Sequence, residues 1–171
     1  MHLAIEPLTR DAFAPFGDVI EAAADHLSFP INAGTSQRFH DLARLDPGEC
    51  GRLIVSIFRA QPRRLPLAIA MLERHPKASQ AFMPLAGQPF LVVVAPKGEQ
   101  IDPAHIRAFL AQGTQGINFA AGVWHHPLLA LNGESDFLVI DRDEPAGNCD
   151  ERPLGRTLLL HLEPGVTGEA A

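Results

Sequence analysis

The chain has 171 residues and a formal net charge of −6, with 46% hydrophobic and 20% charged residues. This length suits one well-buried domain and is short for two. The acidic balance offers no basic surface for nucleic acid, and no apolar run reaches the roughly eighteen residues that a membrane span needs. The first residues lack the basic and apolar runs of a secretory signal, so we expect a cytoplasmic protein.

The spacing of small and apolar residues predicts a single, mainly β domain. Fifteen prolines spread along the chain leave little room for long helices, and short apolar runs between Pro and Gly are typical of a closed or sandwiched β-domain. We expect this domain over residues 1–164, followed by a flexible tail over residues 165–171. Cys50 and Cys149 lie far apart and are expected to be free thiols in a reducing compartment.

Two helices are predicted between the strands. Residues 8–17 form a short helix with Thr9 as its N-cap. Residues 102–113 give the clearest helix signal, because Asp102 is placed to cap it and Gly113 to end it. The apolar stripe of that second helix is expected to consist of Ile106, Phe109 and Leu110.

Strands are predicted over the remaining apolar runs, which are residues 18–21, 33–42, 53–59, 65–74, 79–85, 89–96, 116–119, 124–131, 134–142 and 158–162. For residues 65–74 the pattern fits a helix equally well, and a strand is preferred. Alternation along residues 33–42 places Arg38 and His40 on one face of a strand. Alternation along residues 53–59 leads to Arg59 on the face that carries the odd-numbered apolar residues.

Two histidine-bearing segments carry the clearest chemistry, and their histidines, His75 and His125, are fifty residues apart. The first segment also contains Glu73 and Gln80. Imidazole, carboxylate and amide groups serve as metal ligands or as acid–base groups, and the spacing allows them to converge inside one barrel. We expect His126 to point away from His125, because successive strand residues face opposite sides.

The two segments resemble the two cupin motifs. The spacing Glu73-x-His75-x₄-Gln80-x₆-Gly87 resembles the first motif, with Glu in place of its first histidine and Gln in place of its glutamate. The stretch of residues 120–125 resembles the second motif, with Ala in place of its proline. This resemblance implies a cupin-like double-stranded β-helix, or jelly-roll barrel, with a few short helices.

Six phrases, in order, resemble the ureidoglycolate lyase family: residues 37–42, 56–62, 72–76, 80–84, 122–128 and 136–142. The resemblance covers residues 1 to about 152. It implies a homodimeric enzyme of allantoin degradation that splits (S)-ureidoglycolate into glyoxylate and urea. Two alternatives stay open, an amidohydrolase that releases ammonia and carbon dioxide from the same substrate and a non-catalytic cupin that binds a small carboxylate.

The implied substrate assigns binding roles. Its carboxylate suits a guanidinium group that donates two parallel hydrogen bonds, and Arg38 and Arg59 are the candidates. Gln80 is a further candidate for a substrate contact. Asp141 and Arg142 are as readily explained as a structural pair.

The implied reaction assigns catalytic roles to His75, His125, Glu73 and His40. A base is needed near the substrate hydroxyl and an acid near the departing nitrogen. His125 or Glu73 is the expected base, and His40 or the other of these two is the expected acid. A divalent metal held by His75, His125, Gln80 and Glu73 would assist, and mixed N and O ligands suit nickel, manganese, iron or zinc. Alternatively, the same groups bind the substrate without a metal.

Overall fold

The computed structural model describes residues 2–143 and 147–161, so the predicted tail and the end of the predicted domain lie outside the described residues. These residues form one short α-helix, α1 (Arg10–Phe13), and two 3₁₀ turns, Asn32–Gly34 and Pro103–His105. None of these described helices has the length and apolar character that crossing a membrane requires. The described strands are, in chain order, β1 (His2–Leu3), β2 (Ile5–Pro7), β3 (Gly17–Ile20), β4 (Ser28–Ile31), β5 (Ser36–Phe39), β6 (Leu53–Ala60), β7 (Leu67–Arg74), β8 (Gln80–Pro84), β9 (Phe90–Ala95), β10 (Arg107–Ala111), β11 (Gly116–Phe119), β12 (Trp124–His125), β13 (Leu129–Ala130), β14 (Ser135–Arg142) and β15 (Asp150–Leu160).

Two main sheets pack against each other. The eight-stranded sheet has the order β1-β15-β7-β12-β9-β10-β2, with β13 also paired to β9, and the five-stranded sheet has the order β3-β11-β8-β14-β6. Strands β4 and β5 form a separate hairpin. Apart from the β1–β15 and β2–β10 pairs, the pairings described are antiparallel. The predicted mainly β, jelly-roll-like barrel with few short helices is confirmed.

Strand β9 is buried on both faces, which explains its unbroken apolar sequence. Alternate residues enter the core between the two sheets, namely Phe90, Val92 and Val94. The others enter a second core on the opposite face of the eight-stranded sheet, namely Leu91, Val93 and Ala95. Burial of each valine, leucine and phenylalanine side chain among them contributes about 1.5–3 kcal/mol, so β9 anchors the strands that carry the histidines.

The predicted helix over residues 102–113 is wrong. Asp102 does cap a helical turn, since its side chain accepts a hydrogen bond from the Ala104 N–H at 2.9 Å, but the turn ends at His105. The chain then enters β10, which pairs with both β9 and β2. Its apolar residues serve two cores rather than one stripe, because Phe109 packs between the sheets and Leu110 packs on the opposite face.

The first predicted helix is shorter than expected. Thr9 caps α1 as predicted, with its hydroxyl accepting from the Ala12 N–H at 3.3 Å. Gly17 was expected to end the helix; the helix already ends at Phe13, and Gly17 begins β3 with a φ of 148°. A Cβ atom at Gly17 would overlap the carbonyl oxygen of Asn118, so glycine is required for β3 to approach β11.

Strand β6 forms as predicted, but the face that carries Arg59 points to the surface. Val55 and Ile57 on that face are 67% and 54% exposed. Phe58 on the other face contacts Phe82 edge-on, with ring centroids 6.0 Å apart. Because that face is exposed, the alternation that carries Arg59 does not lead into the barrel.

Candidate active site and metal centre

Antiparallel pairing of β7 with β12 creates the site. Glu73 and His125 are register partners on these strands, and directly opposed residues of an antiparallel pair project to the same face. His75 follows the end of β7, and its carbonyl oxygen accepts a hydrogen bond from the Gly122 N–H at 2.8 Å. The two histidine-bearing segments are thereby joined.

Glu73, His75 and His125 form a compact group, which we call the His–Glu cluster. One nitrogen or oxygen atom from each residue lies within 4.8 Å of the others. The two imidazole centroids are 5.2 Å apart, and Oε1 of Glu73 lies 3.6 Å from Nε2 of His125. His125 is only 2% exposed, so the inner side of the cluster is shielded from water.

Backbone carbonyl groups fix the tautomers of both histidines. The Nδ1 atom of His125 lies 3.0 Å from the carbonyl oxygen of Val123, and Nδ1 of His75 lies 2.6 Å from that of Asn148. A carbonyl oxygen only accepts, so each Nδ1 carries the proton and donates. Each Nε2 then bears a lone pair, and neither of these buried atoms has a hydrogen-bond partner among the described residues. This is the usual arrangement of metal-binding histidines.

Burial also controls the charges of the cluster. The pKa of His125 is lowered to about 3, mainly because burial disfavours the imidazolium and further because His75 lies nearby. Burial raises the pKa of the Glu73 carboxyl above its ordinary value, and the neighbouring His75 partly opposes this change. His125 is therefore neutral at neutral pH, and its Nε2 lone pair is available to a metal ion.

The geometry of the cluster fits a divalent cation. The lone pair on Nε2 of His125 faces a Glu73 oxygen at 3.6 Å, which is too far for a hydrogen bond between them and electrostatically unfavourable with nothing in between. Two ligand atoms about 2.1 Å from one tetrahedral metal ion lie about 3.4 Å apart. Two imidazoles and one carboxylate also match the donor set of borderline transition metals.

Gln80 lies beside the cluster on β8. It is the register partner of Phe119 on β11, and Phe119 stacks on His125 with centroids 4.2 Å apart and planes 13° apart. The Gln80 amide donates to Asp141 at 3.3 Å, while its buried Oε1 has no partner among the residues described. Asp141 thus accepts from Gln80, and Arg142 donates to the Pro47 carbonyl oxygen at 2.7 Å.

Arg38, His40 and Arg59 lie apart from the cluster. The guanidinium of Arg59 makes a bidentate ion pair with Asp136, with bonds of 2.8 and 2.9 Å, at the surface of β6. Arg38 and His40 both contact Phe29 on the β4–β5 hairpin. Within residues 2–143 and 147–161, no hydrogen bond or ion pair links these three residues to the cluster. Their predicted place in the site is not supported by this geometry.

His126 differs from its predicted position. Strand β12 ends at His125, so strand alternation does not extend to the next residue. Both histidines line the same small internal cavity beside Phe119. Burial lowers the pKa of His126, and its Nδ1 donates to the Pro127 carbonyl oxygen at 2.9 Å.

Comparison with known proteins identifies the family of the chain. The family described as ureidoglycolate lyase matches residues 1–161. The chain belongs to this family. A ureidoglycolate lyase from Burkholderia cepacia is 56% identical over 97% of this chain and 94% of that protein, and one from Pseudomonas syringae pv. tomato is 53% identical over 95% of each. Among solved structures, a dTDP sugar isomerase from Desulfovibrio desulfuricans aligns with a TM-score of 0.45 at 18% identity, over 82% of this chain and 87% of that one.

The predicted membership of the ureidoglycolate lyase family is therefore confirmed. Sequence reasoning nevertheless missed three residues of the site in this family member. Phe119 stacks on His125, Asn148 fixes the tautomer of His75, and the Cys149 Sγ lies 3.9 Å from Oε2 of Glu73. Burial raises the pKa of the Cys149 thiol, and the charge of Glu73 adds to this effect. The cysteine was predicted only to be a free thiol, which it is.

Proposed function

We propose that the chain cleaves (S)-ureidoglycolate into glyoxylate and urea at the His–Glu cluster. The observation that carries the proposal is the buried Nε2 lone pair of His125 facing the Glu73 carboxylate at 3.6 Å. A cation or a proton between these two acceptor atoms relieves their electrostatic repulsion. The substrate is inferred from relatives that are named ureidoglycolate lyase and are 51–56% identical over most of the chain.

The bond to be broken defines what the cluster must do. Ureidoglycolate carries a carboxylate, a hydroxyl and a ureido group on one carbon. As the hydroxyl loses its proton, a carbonyl forms and the C–N bond opens. Its electron pair passes to the nitrogen, which takes a proton to give urea. The cluster must therefore remove one proton and deliver one.

We assign cation binding to His75, His125 and Glu73. Nε2 of His125 and Oε1 of Glu73 lie 3.6 Å apart, and a His75 nitrogen completes the group. Because Nδ1 of His75 is bonded to the Asn148 carbonyl oxygen, Nε2 is the His75 atom that remains for a cation. A divalent cation held there would bind the substrate carboxylate and hydroxyl and lower the pKa of that hydroxyl. Nickel or another borderline transition metal suits this mixed donor set.

Glu73 is the proposed proton carrier. Its Oε1 faces His125, whereas its Oε2 is directed towards Cys149 at the exposed side of the cluster. Glu73 can thus accept the hydroxyl proton through Oε2 and return it to the departing nitrogen.

Gln80 is the proposed substrate contact. Its buried and unpartnered Oε1 can accept an N–H from the ureido group. Arg38, Arg59 and His40 contact other residues, so their predicted roles in substrate binding and acid catalysis stay predictions and are not used here. The substrate carboxylate then depends on the bound cation.

Product analysis separates this proposal from an amidohydrolase on the same substrate. The purified protein is incubated with (S)-ureidoglycolate, and glyoxylate, urea and ammonia are measured together. We expect glyoxylate and urea in equal amounts, without ammonia. Release of ammonia with carbon dioxide would favour the amidohydrolase. Binding of ureidoglycolate without turnover, whichever divalent metal is added, would favour a non-catalytic cupin.

We also propose that the chain is a cytoplasmic homodimer of allantoin degradation. The exposed face of β6, with Val55 and Ile57 at the edge of a sheet, is an apolar surface that a second copy would cover. Two exposed free cysteines, Cys50 and Cys149, suit a reducing compartment. The pathway follows from the proposed substrate.

A further inference from the structure

The segment of residues 148–151 closes the exposed side of the His–Glu cluster. The carbonyl oxygen of Asn148 accepts from His75 at 2.6 Å, and the Asn148 side chain accepts from the Lys77 N–H at 2.9 Å. Asp150 forms an ion pair with Arg74 at 2.8 Å. These contacts anchor the segment on both sides of Cys149 and hold its side chain against the cluster.

Cys149 reaches the cluster through Glu73. Its Sγ lies 3.9 Å from Oε2 of Glu73, a distance at which a thiol donates a weak hydrogen bond to a carboxylate. The ligand atoms of Glu73, Cys149 and Glu151 all lie within 4.8 Å of one another. The other Glu73 oxygen faces the buried, unpartnered Nε2 of His125. Glu73 therefore connects a buried half of the site to an exposed half that contains the thiol.

We propose that Cys149 is a positioning residue for Glu73 and a site of reversible covalent modification by small-molecule disulfides and thiosulfonates. The inference rests on the proposed function of the cluster. While Cys149 is unmodified, its thiol holds Oε2 of Glu73 outward and thereby keeps Oε1 directed at His125. A group attached to Sγ removes this hydrogen-bond donor and occupies the space beside the Glu73 carboxylate, so it blocks the site.

The modification is a thiol exchange that balances without a further reactant. The Cys149 sulfur attacks the reagent, a new S–S bond forms, and the bond between the reagent sulfur and its leaving group breaks. The leaving group departs with the electron pair, and the thiol proton passes to solvent. A reducing thiol in excess reverses the exchange, so activity lost by modification is expected to return.

The first test uses methyl methanethiosulfonate on the full chain, with Cys50 as the matched control. Both cysteines are exposed and free, but Cys50 has no contact with the cluster among the residues described. We expect the Cys50→Ser variant to lose turnover on treatment and to regain it with dithiothreitol, as the unmodified chain does. The Cys149→Ser variant should be insensitive to the reagent. Modification of Cys149, verified by peptide mass spectrometry, without loss of turnover would overturn the proposal.

A second test separates positioning from simple blockage. Cys149→Ala removes the donor, and kcat should fall on the order of tenfold, as for loss of one hydrogen bond to a charged group. Cys149→Ser retains a donor and should restore kcat to within about threefold, with KM little changed in both. Equal kcat values for the alanine and serine variants would contradict positioning.

A third readout does not depend on activity. The labelling rate of each cysteine is followed by mass spectrometry with and without nickel. We expect nickel to slow labelling of Cys149 severalfold and to leave Cys50 unchanged; equal rates at Cys149 would count against its place beside the site. An untreated chain that releases no glyoxylate would refute the proposed function, whereas an active chain that resists modification would refute this inference alone. The labelling result also decides the matter if Cys149→Ala fails to fold.

Discussion

At the scale of single residues, the site depends on two imidazoles whose Nδ1 atoms are already committed to backbone carbonyl oxygens. This leaves Nε2 of His75 and His125 without a partner among the described side chains. A buried polar atom without a partner costs about 1–3 kcal/mol. The chain sustains this cost because strands β7, β9 and β12 fix the backbone around the cluster, and a ligand recovers it on binding.

The histidines are the most direct residues to change. We expect His75→Ala and His125→Ala each to lower kcat/KM by at least about 100-fold, because each removes a group that acts on the reacting atoms. Glyoxylate release measures the loss, and circular dichroism verifies the fold. His105→Ala is the matched control, since His105 is an exposed histidine beside Asp102 and should leave turnover unchanged. Near-normal activity in either cluster variant would refute its role.

The lowered pKa of His125 predicts a pH dependence of stability. The folded pKa of about 3 lies below the ordinary value of about 6.5 that applies to the unfolded chain. As pH falls below about 6.5, the unfolded state binds this proton first, so the free energy of unfolding declines towards pH 3, by at most about 1.4 kcal/mol per pH unit. Above about pH 6.5, His125 is neutral in both the folded and the unfolded chain, so its contribution to the free energy of unfolding no longer changes with pH.

Urea unfolding between pH 7 and pH 5, in the presence of a chelator, measures this effect. The wild-type chain should lose more stability on acidification than His125→Gln, which has no imidazole to protonate at that position. Other histidines, including His126 with its lowered pKa, contribute to both proteins and cancel in the comparison. Parallel curves would contradict a buried neutral His125.

At the scale of elements, local signals predicted strands well and misassigned β10. Asp102, a following proline and Gly113 mark the ends of a helix, and apolar residues between them fit helical spacing. The outcome is a strand because β9 and β2 bind both edges of β10, and both of its faces are buried. Hydrogen bonding and burial by residues distant in sequence outweigh local propensity, and a single sequence does not reveal them.

Gly113 has a different role from the predicted helix stop. A Cβ atom at this position would overlap the carbonyl oxygen of Gly87, so the loop before β11 packs directly on the turn before β9. We expect Gly113→Ala to lower the free energy of unfolding by about 1–3 kcal/mol, as in overpacked sites. Urea unfolding measures this change.

Gly133→Ala is the matched control for Gly113→Ala. Nothing lies within 4 Å of a Cβ atom built at Gly133, and neither glycine requires a positive φ. The control should be neutral or stabilising by less than about 1 kcal/mol. Equal destabilisation of the two variants would show that close backbone packing is not the reason for Gly113.

At the scale of the whole molecule, the family was predictable from the six phrases and the barrel from the strand spacing. The residues that surround the His–Glu cluster were not. Arg59 was assigned to the site because apolar residues alternate along β6, but both faces of that strand carry apolar residues and the sequence does not distinguish them. Asn148 and Cys149 gave no local signal. They reach the cluster because the following strand, β15, pairs with β7, with Glu151 opposite Glu73.

The exposed apolar face of β6 predicts the oligomeric state. We expect the chain to elute as a dimer in size-exclusion chromatography with light scattering, and Ile57→Glu to yield a monomer, because a buried unpaired charge costs several kcal/mol. Ala70→Glu is the control, since Ala70 is also exposed on a strand, β7, and should stay dimeric. A monomeric wild-type chain, or a dimeric Ile57→Glu variant, would contradict this interface.

We propose that the His–Glu cluster cleaves ureidoglycolate with a bound divalent cation. The most direct measurement is glyoxylate release from (S)-ureidoglycolate by chelator-treated protein, before and after addition of nickel, for the wild type and for His125→Ala. We predict that the chelator abolishes turnover, that nickel restores it in the wild type, and that nickel does not restore it in the variant. Full turnover in chelator, or equal restoration of both proteins, would contradict the claim.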